Sequence, residues 1–271
     1  MLTLDSRSVW KRIDSRMISD ATIGLADGLT VPFALTAGLS TLGKTDVVVY
    51  GGLAELIAGA ISMGFGGYLA GRGEADAHAA TQSNTSMIVR SDPDRADSLI
   101  QEAFDAYDLP AELADSLSSH VRSLPKNVQT EFLMRFCTAT ASPEAEGSRA
   151  ITSGITIATG YFLGGLIPLL PYALVGGSVG SIETAFFWSV AVMIVALLSF
   201  GAGKTWLLLR DSQDLANSTA ELDEMSGAWE KQGTSSGSKN LALKCMRGSV
   251  EMLVLGSLAA GAAMGIIKVL T

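Results

Sequence analysis

Hydrophobic residues gather along this chain into five long blocks, 18–42, 47–70, 150–175, 184–209 and 248–267, separated by polar segments. Charge is nearly absent from them: Asp20 and Asp27 in the first, Glu55 in the second, none in the third, Lys204 in the fourth and Glu251 in the fifth. A helix needs about 20 residues to cross the hydrocarbon layer at about 1.5 Å per residue, and each block is long enough. Lipid offers no partner to backbone N–H and C=O groups, so such spans are helices. The pattern predicts an all-α, polytopic membrane protein with five transmembrane helices. The first two fall in 18–71, the next two in 150–210 and the last in 247–271, with a polar segment, 1–17, ahead of them. That leading segment carries Arg7, Lys11, Arg12 and Arg16 and lacks the apolar core and cleavage site of a signal peptide.

The polar segment 72–149 has helical signals of its own. No breaker follows span two until Pro93, so that helix can run on past the membrane. Ser91-Asp92-Pro93-Asp94 reads as a helix start, with Asp92 as N-cap and Pro93 in the first helical position. Leu99, Ala103, Phe104 and Tyr107 then recur at helical spacing. Further short helices are expected over 111–121 and 128–136, after Pro110 and Pro125. The segment is therefore expected to form a small helical cytoplasmic domain inserted between spans two and three. The other long polar segment, 211–246, reads as a cytoplasmic loop, mobile over 211–240 because it is Ser- and Gly-containing and weakly apolar.

Composition narrows the class. Of 271 residues, 48% are hydrophobic and 17% charged, and the net charge is −8. An intrinsically disordered chain is apolar-poor and is excluded. Two cysteines exclude a disulfide scaffold. The acidic balance argues against nucleic acid as a partner, because phosphate neutralisation needs a basic face. Membrane lipid is the expected surrounding, and 29 glycines agree with close packing of spanning helices. With the N-terminus in the cytosol, 17 of the 19 Lys and Arg lie on the cytosolic side, Lys44 and Lys268 being the exceptions. The positive-inside rule favours this orientation, which puts 72–149 in the cytosol and the C-terminus across the membrane.

The intramembrane acids carry the candidate chemistry. A carboxylate at the membrane centre costs ~2.5–3.5 kcal/mol on insertion scales, and such residues face a bundle interior or an aqueous path. Asp20 and Asp27 are seven apart and share a helix face, while Glu55, Ser62 and Met63 lie on one broad face of span two. Carboxylates supply charge and a thioether supplies softness, a combination suited to a divalent transition metal. Pro32 would kink span one just beyond Asp27. Small-residue pairs recur as Gly24 and Gly28, Gly67 and Gly71, Gly160 and Gly164, and Gly261 and Gly265. Glu74 and His78, at i and i+4, have a spacing that could hold metal, but the pair reads first as a solvated helix surface. Gly201-Ala202-Gly203-Lys204-Thr205 imitates a phosphate loop, but Leu198 stands where the motif needs its first glycine. Cys137 and Cys245 lie on the inside, where thiols stay reduced. No nucleophile–base pair or hydrolytic constellation is present, so no enzyme is indicated.

Two runs carry a family likeness: Ala26-Asp27-Gly28-Leu29-Thr30-Val31-Pro32-Phe33-Ala34-Leu35 and Gly52-Leu53-Ala54-Glu55-Leu56-Ile57-Ala58-Gly59-Ala60-Ile61-Ser62-Met63-Gly64. With Glu74-Ala75-Asp76, Tyr161-Phe162-Leu163-Gly164-Gly165 and Leu258-Ala259-Ala260-Gly261, the chain resembles the vacuolar iron transporter family. The resemblance implies five spans, a homodimer with the ion path between subunits, and an inserted cytoplasmic metal-binding domain. It further implies proton-coupled export of Fe²⁺, and often Mn²⁺, from cytosol into vacuole, across the vacuolar membrane. Those ions are cargo and H⁺ the coupling ion; no cofactor is implied. Family path residues correspond to Asp20, Asp27, Glu55 and Met63, with Asp27 and Glu55 as the candidates for proton coupling. Glu74 would take ions at the cytosolic side. The inserted domain departs from its plant-type relatives: 79–91 contains no acid, and Leu133-Met134-Arg135-Phe136-Cys137 stands where the family has Met-Met-Arg-Phe-Glu. Met134 and Cys137 remain as soft candidate ligands. The residues alone leave a second reading open, a non-transporting membrane protein whose acidic domain senses metal or recruits a partner.

Overall fold

The structure, a computed structural model, describes residues 15–105, 109–137, 146–175, 182–226 and 237–270. The helices are α1 (Ser15–Ser40), α2 (Thr45–Ser91), α3 (Pro93–Asp105), α4 (Ala111–Ser123), α5 (Lys126–Phe132), α6 (Glu146–Val175), α7 (Ile182–Ser226) and α8 (Gly237–Leu270). One π-helical turn, Leu133–Cys137, continues α5, and no strand occurs among the described residues. Five helices are long and apolar enough to cross a membrane, over Arg16–Ser40, Thr45–Ser91, Arg149–Leu174, Ile182–Leu207 and Cys245–Leu270. The chain is an all-α polytopic membrane protein, and it divides into two compact units, Met1–Gly66 with Ser153–Thr271, and Gly67–Thr152. The division falls inside α2.

In the first unit, α1 packs along α7 and α8, with Leu29, Phe33 and Ala37 against Met193, Leu197 and Ala260. Its other side meets α6 almost backbone to backbone. A Cβ added to Gly28 would lie 2.7 Å from the Tyr161 Cα, and one added to Gly164 would lie 3.1 Å from the Leu25 carbonyl oxygen. The glycine pairs of spans one and three thus face each other at one crossing, where only hydrogen atoms fit between the helices. Helix α1 continues through Pro32. Proline removes the hydrogen bond to the carbonyl four residues back, that of Gly28, and Gly165 packs beside both this oxygen and the proline ring. Helices α7 and α8 meet at Gly201, whose added Cβ would lie 2.6 Å from the Ser249 Cα, and the Ser249 hydroxyl donates to the Leu198 carbonyl at 2.9 Å. Helix α1 ends in a tight turn in which Gly43 takes φ +73°, a left-handed conformation that glycine adopts without strain, before α2 begins at Thr45.

The second unit holds the inserted segment. Asp92 accepts a hydrogen bond from the Arg95 N–H at 3.0 Å, which makes it the cap of α3. Val89, Ala96 and Leu133 form the unit's apolar cluster, joined by Ile88, Leu99, Phe132 and Cys137. Arg122 on α4 reaches Asp94 at 2.8 Å and Asp97 at 2.6 Å on α3, and the two acids raise its pKa further. The buried Gln129 amide donates to the carbonyls of Arg122 and Leu124, at 2.9 and 2.6 Å, closing the turn between α4 and α5.

The loop expected over 211–246 is corrected. Helix α7 runs on to Ser226, and α8 already starts at Gly237. Residues 204–226 contain neither Gly nor Pro, so nothing breaks the helix at the point where hydropathy falls. The end of an apolar block marks the end of a span, not of a helix. Residues 227–236 lie outside the described residues, as does nearly all of the leading segment 1–17.

Candidate functional site

The site is built on three helices of the first unit. Helix α1 supplies Asp20, which is buried, and Asp27, two turns later and half-buried. Helix α2 supplies Glu55, half-buried, and Met63, which packs against the cluster of Leu56, Ala60 and Tyr161. Helix α6 supplies Tyr161 itself, a buried residue whose hydroxyl donates to Glu55 Oε1. The other oxygen, Glu55 Oε2, is buried and has no hydrogen-bond partner among the described residues. Asp27 lies within electrostatic range of the same tyrosine hydroxyl. Tyr161 thus bonds Glu55, belongs to the cluster that Met63 borders, and lies within electrostatic range of Asp27.

Two glycines allow this. Gly28, one position after Asp27, lets the backbone of Tyr161 approach α1. Gly59, one turn after Glu55, leaves room for the phenol ring; a Cβ there would lie 2.5 Å from the ring's edge. Without these absences of side chain the tyrosine could not lie beside the glutamate.

An anionic oxygen buried without a donor is costly, by about 1–3 kcal/mol or more, and it is satisfied by a proton or by a cation. A divalent ion here would find carboxylate oxygens and, at Met63, a soft sulfur. Yet among the described residues no three His, Cys, Asp or Glu side chains converge on one point.

The other predicted residues are placed differently. Glu74 is exposed on α2, and nearby Asp76 lies 3.9 Å from Arg72. Met134 is buried and lines a cleft of the second unit, a cavity of about 720 Å³ that also takes in His78 and Glu131. Cys137 belongs instead to the apolar cluster around Leu133, and burial pushes its thiol up, toward the protonated form that is a poor metal ligand. Glu251 is exposed on α8. Sequence reasoning missed Tyr161 as a functional residue. The available signal was a tyrosine among small residues in a span free of charge.

Comparison with known proteins identifies the family. The family model described as the VIT family matches residues 18–268. The vacuolar iron transporter cccA of Arthroderma benhamiae is 38% identical over 257 residues, covering 95% of this chain and 81% of that one. Protein CCC1 of Saccharomyces cerevisiae is 37% identical over 265 residues, covering 96% and 71%. Vacuolar iron transporter 1 of Oryza sativa subsp. japonica is 40% identical over 186 residues, covering 68% and 71%. A match spanning all five membrane helices and every site residue named above, together with relatives of this identity and coverage, shows that the chain belongs to the VIT family, the family of the vacuolar iron transporters.

Proposed function

We propose that this protein is a proton-coupled antiporter that moves Fe²⁺, and Mn²⁺ with it, from the cytosol into a vacuole or equivalent compartment. The observation that carries the reading is Glu55: one oxygen is held by the Tyr161 hydroxyl, and the other is buried with no hydrogen-bond partner among the described residues. A carboxylate in that position takes either a proton or a metal ion. Each displaces the other, because both need the same oxygen and a bound cation favours the ionised form. Exchange of H⁺ for metal follows from that competition, with Asp27 and Glu55 as the exchanging groups. Asp20, buried two turns before Asp27 on the same face, extends the path along α1.

The working unit in this reading is a homodimer: no three His, Cys, Asp or Glu side chains converge among the described residues of one chain, and a second copy would complete the sphere. The distribution of Lys and Arg supports a cytosolic N-terminus and a luminal C-terminus. The inserted domain serves mainly to shape the cytosolic entrance, and its acids attract cations at long range.

The test is uptake by proteoliposomes under an imposed pH gradient. The wild-type chain should concentrate Fe²⁺ in exchange for protons. Asp27→Asn, nearly isosteric, should fold and lose almost all uptake, and Glu55→Gln should impair it and alter its response to the gradient. Wild-type uptake by Asp27→Asn would defeat the assignment.

A further inference from the structure

We propose that the cleft of the inserted unit is a binding site for a phosphate-bearing anion. The cleft is a cavity of about 720 Å³ lying wholly within the second unit, between the outer part of α2 and the helical run made by α5 and its π turn. Its α2 wall presents Gln82, Ser83, Ser86 and Arg90, and the facing wall presents Lys126, Asn127, Thr130, Glu131 and Arg135. Both sets follow the three-and-four spacing of one helix face, so each wall is continuous.

The charge of this lining opposes that of its surroundings. The 72–149 segment carries 13 acids against 7 bases, yet three of those bases, Arg90, Lys126 and Arg135, line the cleft with a single carboxylate, Glu131. Three other arginines of the unit pair with acids: Arg72 lies 3.9 Å from Asp76, Arg95 3.0 Å from Glu102, and Arg122 within 2.8 Å of Asp94 and Asp97. Arg90 and Arg135 pair with no acid among the described residues. Lys126 is held in place by its bonds to the Val89 carbonyl, 3.0 Å, and the Gln129 side chain, 3.3 Å, and keeps a third donor to offer. Three cations gathered in one cleft of an acidic domain repel one another and repel Fe²⁺; an anion relieves both. Two guanidinium forks, one ammonium and the amides of Gln82 and Asn127 are a donor set that the single carboxylate, Glu131, does not balance, and a multivalent oxyanion of the phosphate type satisfies it. The cleft thus recognises the opposite charge to the one that passes through the membrane unit.

The phosphate could belong to a soluble species or to a lipid headgroup, and one competition experiment separates them. Full-length protein is reconstituted in nanodiscs of phosphatidylcholine alone or with phosphatidic acid, free of metal, and titrated with pyrophosphate by calorimetry. Wild-type protein in phosphatidylcholine should bind pyrophosphate, with affinity falling as salt rises. The Arg90→Gln/Arg135→Gln double variant should lose at least tenfold, as should Gln82→Glu, which adds one acid to the α2 wall; Lys204→Gln should bind as wild type. If phosphatidic acid weakens pyrophosphate binding to the wild type and not to the double variant, the natural ligand is a headgroup; if it has no effect, the ligand is soluble. Absence of pyrophosphate binding by folded wild-type protein, or equal binding by the double variant, would overturn the proposal.

Discussion

Replacing the Tyr161 hydroxyl by hydrogen leaves Glu55 Oε1, like Oε2, without a donor. A hydrogen bond to a charged group is worth about 1.5–3 kcal/mol, so Tyr161→Phe should lower Fe²⁺ uptake roughly 10- to 100-fold while the protein still folds. Gly59→Ala reaches the same contact from the other side, because its methyl group needs the space the ring occupies. Initial-rate uptake of the two variants should therefore fall together, and normal rates in Tyr161→Phe would reduce that bond to a packing accident. Met63→Leu keeps the volume and removes the sulfur. It should weaken Fe²⁺ transport more than Mn²⁺ transport, since the harder ion depends less on a thioether. Equal loss of both in a two-metal competition assay would make Met63 a packing residue. Charge is what made the site legible at this scale: Asp20, Asp27 and Glu55 stand out because an acid in an apolar block needs a reason. Tyrosine does not stand out there, since its ring belongs among apolar side chains and its partner lies 106 positions away.

At the scale of the helix, the crossing of α1 and α6 and the outer face of α8 make a matched pair of glycine experiments. Gly28→Ala puts a methyl group 2.7 Å from the Tyr161 Cα, backbone that cannot rotate aside, so the helices must part. Overpacking of this kind costs about 1–3 kcal/mol, and uptake should suffer as well, because the same contact seats Tyr161. Gly261→Ala meets open space on the single chain and should be neutral or slightly stabilising, as alanine favours the helix by up to about 1 kcal/mol. Thermal unfolding in detergent compares them, and a similar loss in both would mean that Gly261 is covered by a second copy. The sequence alone presents these glycine pairs as equals, because spacing says that two small residues share a face and not what lies opposite. Helix ends were legible where chemistry stops them, as at Asp92 and Pro93. The end of α7 was not, because hydropathy reports the lipid boundary and nothing breaks the helix there.

For the molecule as a whole, the apolar blocks were enough to read the five spans, since length and burial in lipid are constraints that each block meets locally. The meeting of Glu55 with Tyr161, with Asp27 in electrostatic range, draws on three helices and is a property of the folded chain only. That convergence also has a thermodynamic side. The lone Glu55 oxygen is a debt the native state carries and the unfolded chain, hydrated, does not. Cargo that settles on it must therefore stabilise the fold by linkage, by about 2.7 kcal/mol at a hundred times its dissociation constant. The melting temperature of the purified protein should climb with free Fe²⁺ under anoxic conditions and fall back on chelation, and Glu55→Gln should flatten the response. Ranking divalent metals by that rise would give the selectivity series of the path from protein at rest, with no membrane to cross and no ion in motion.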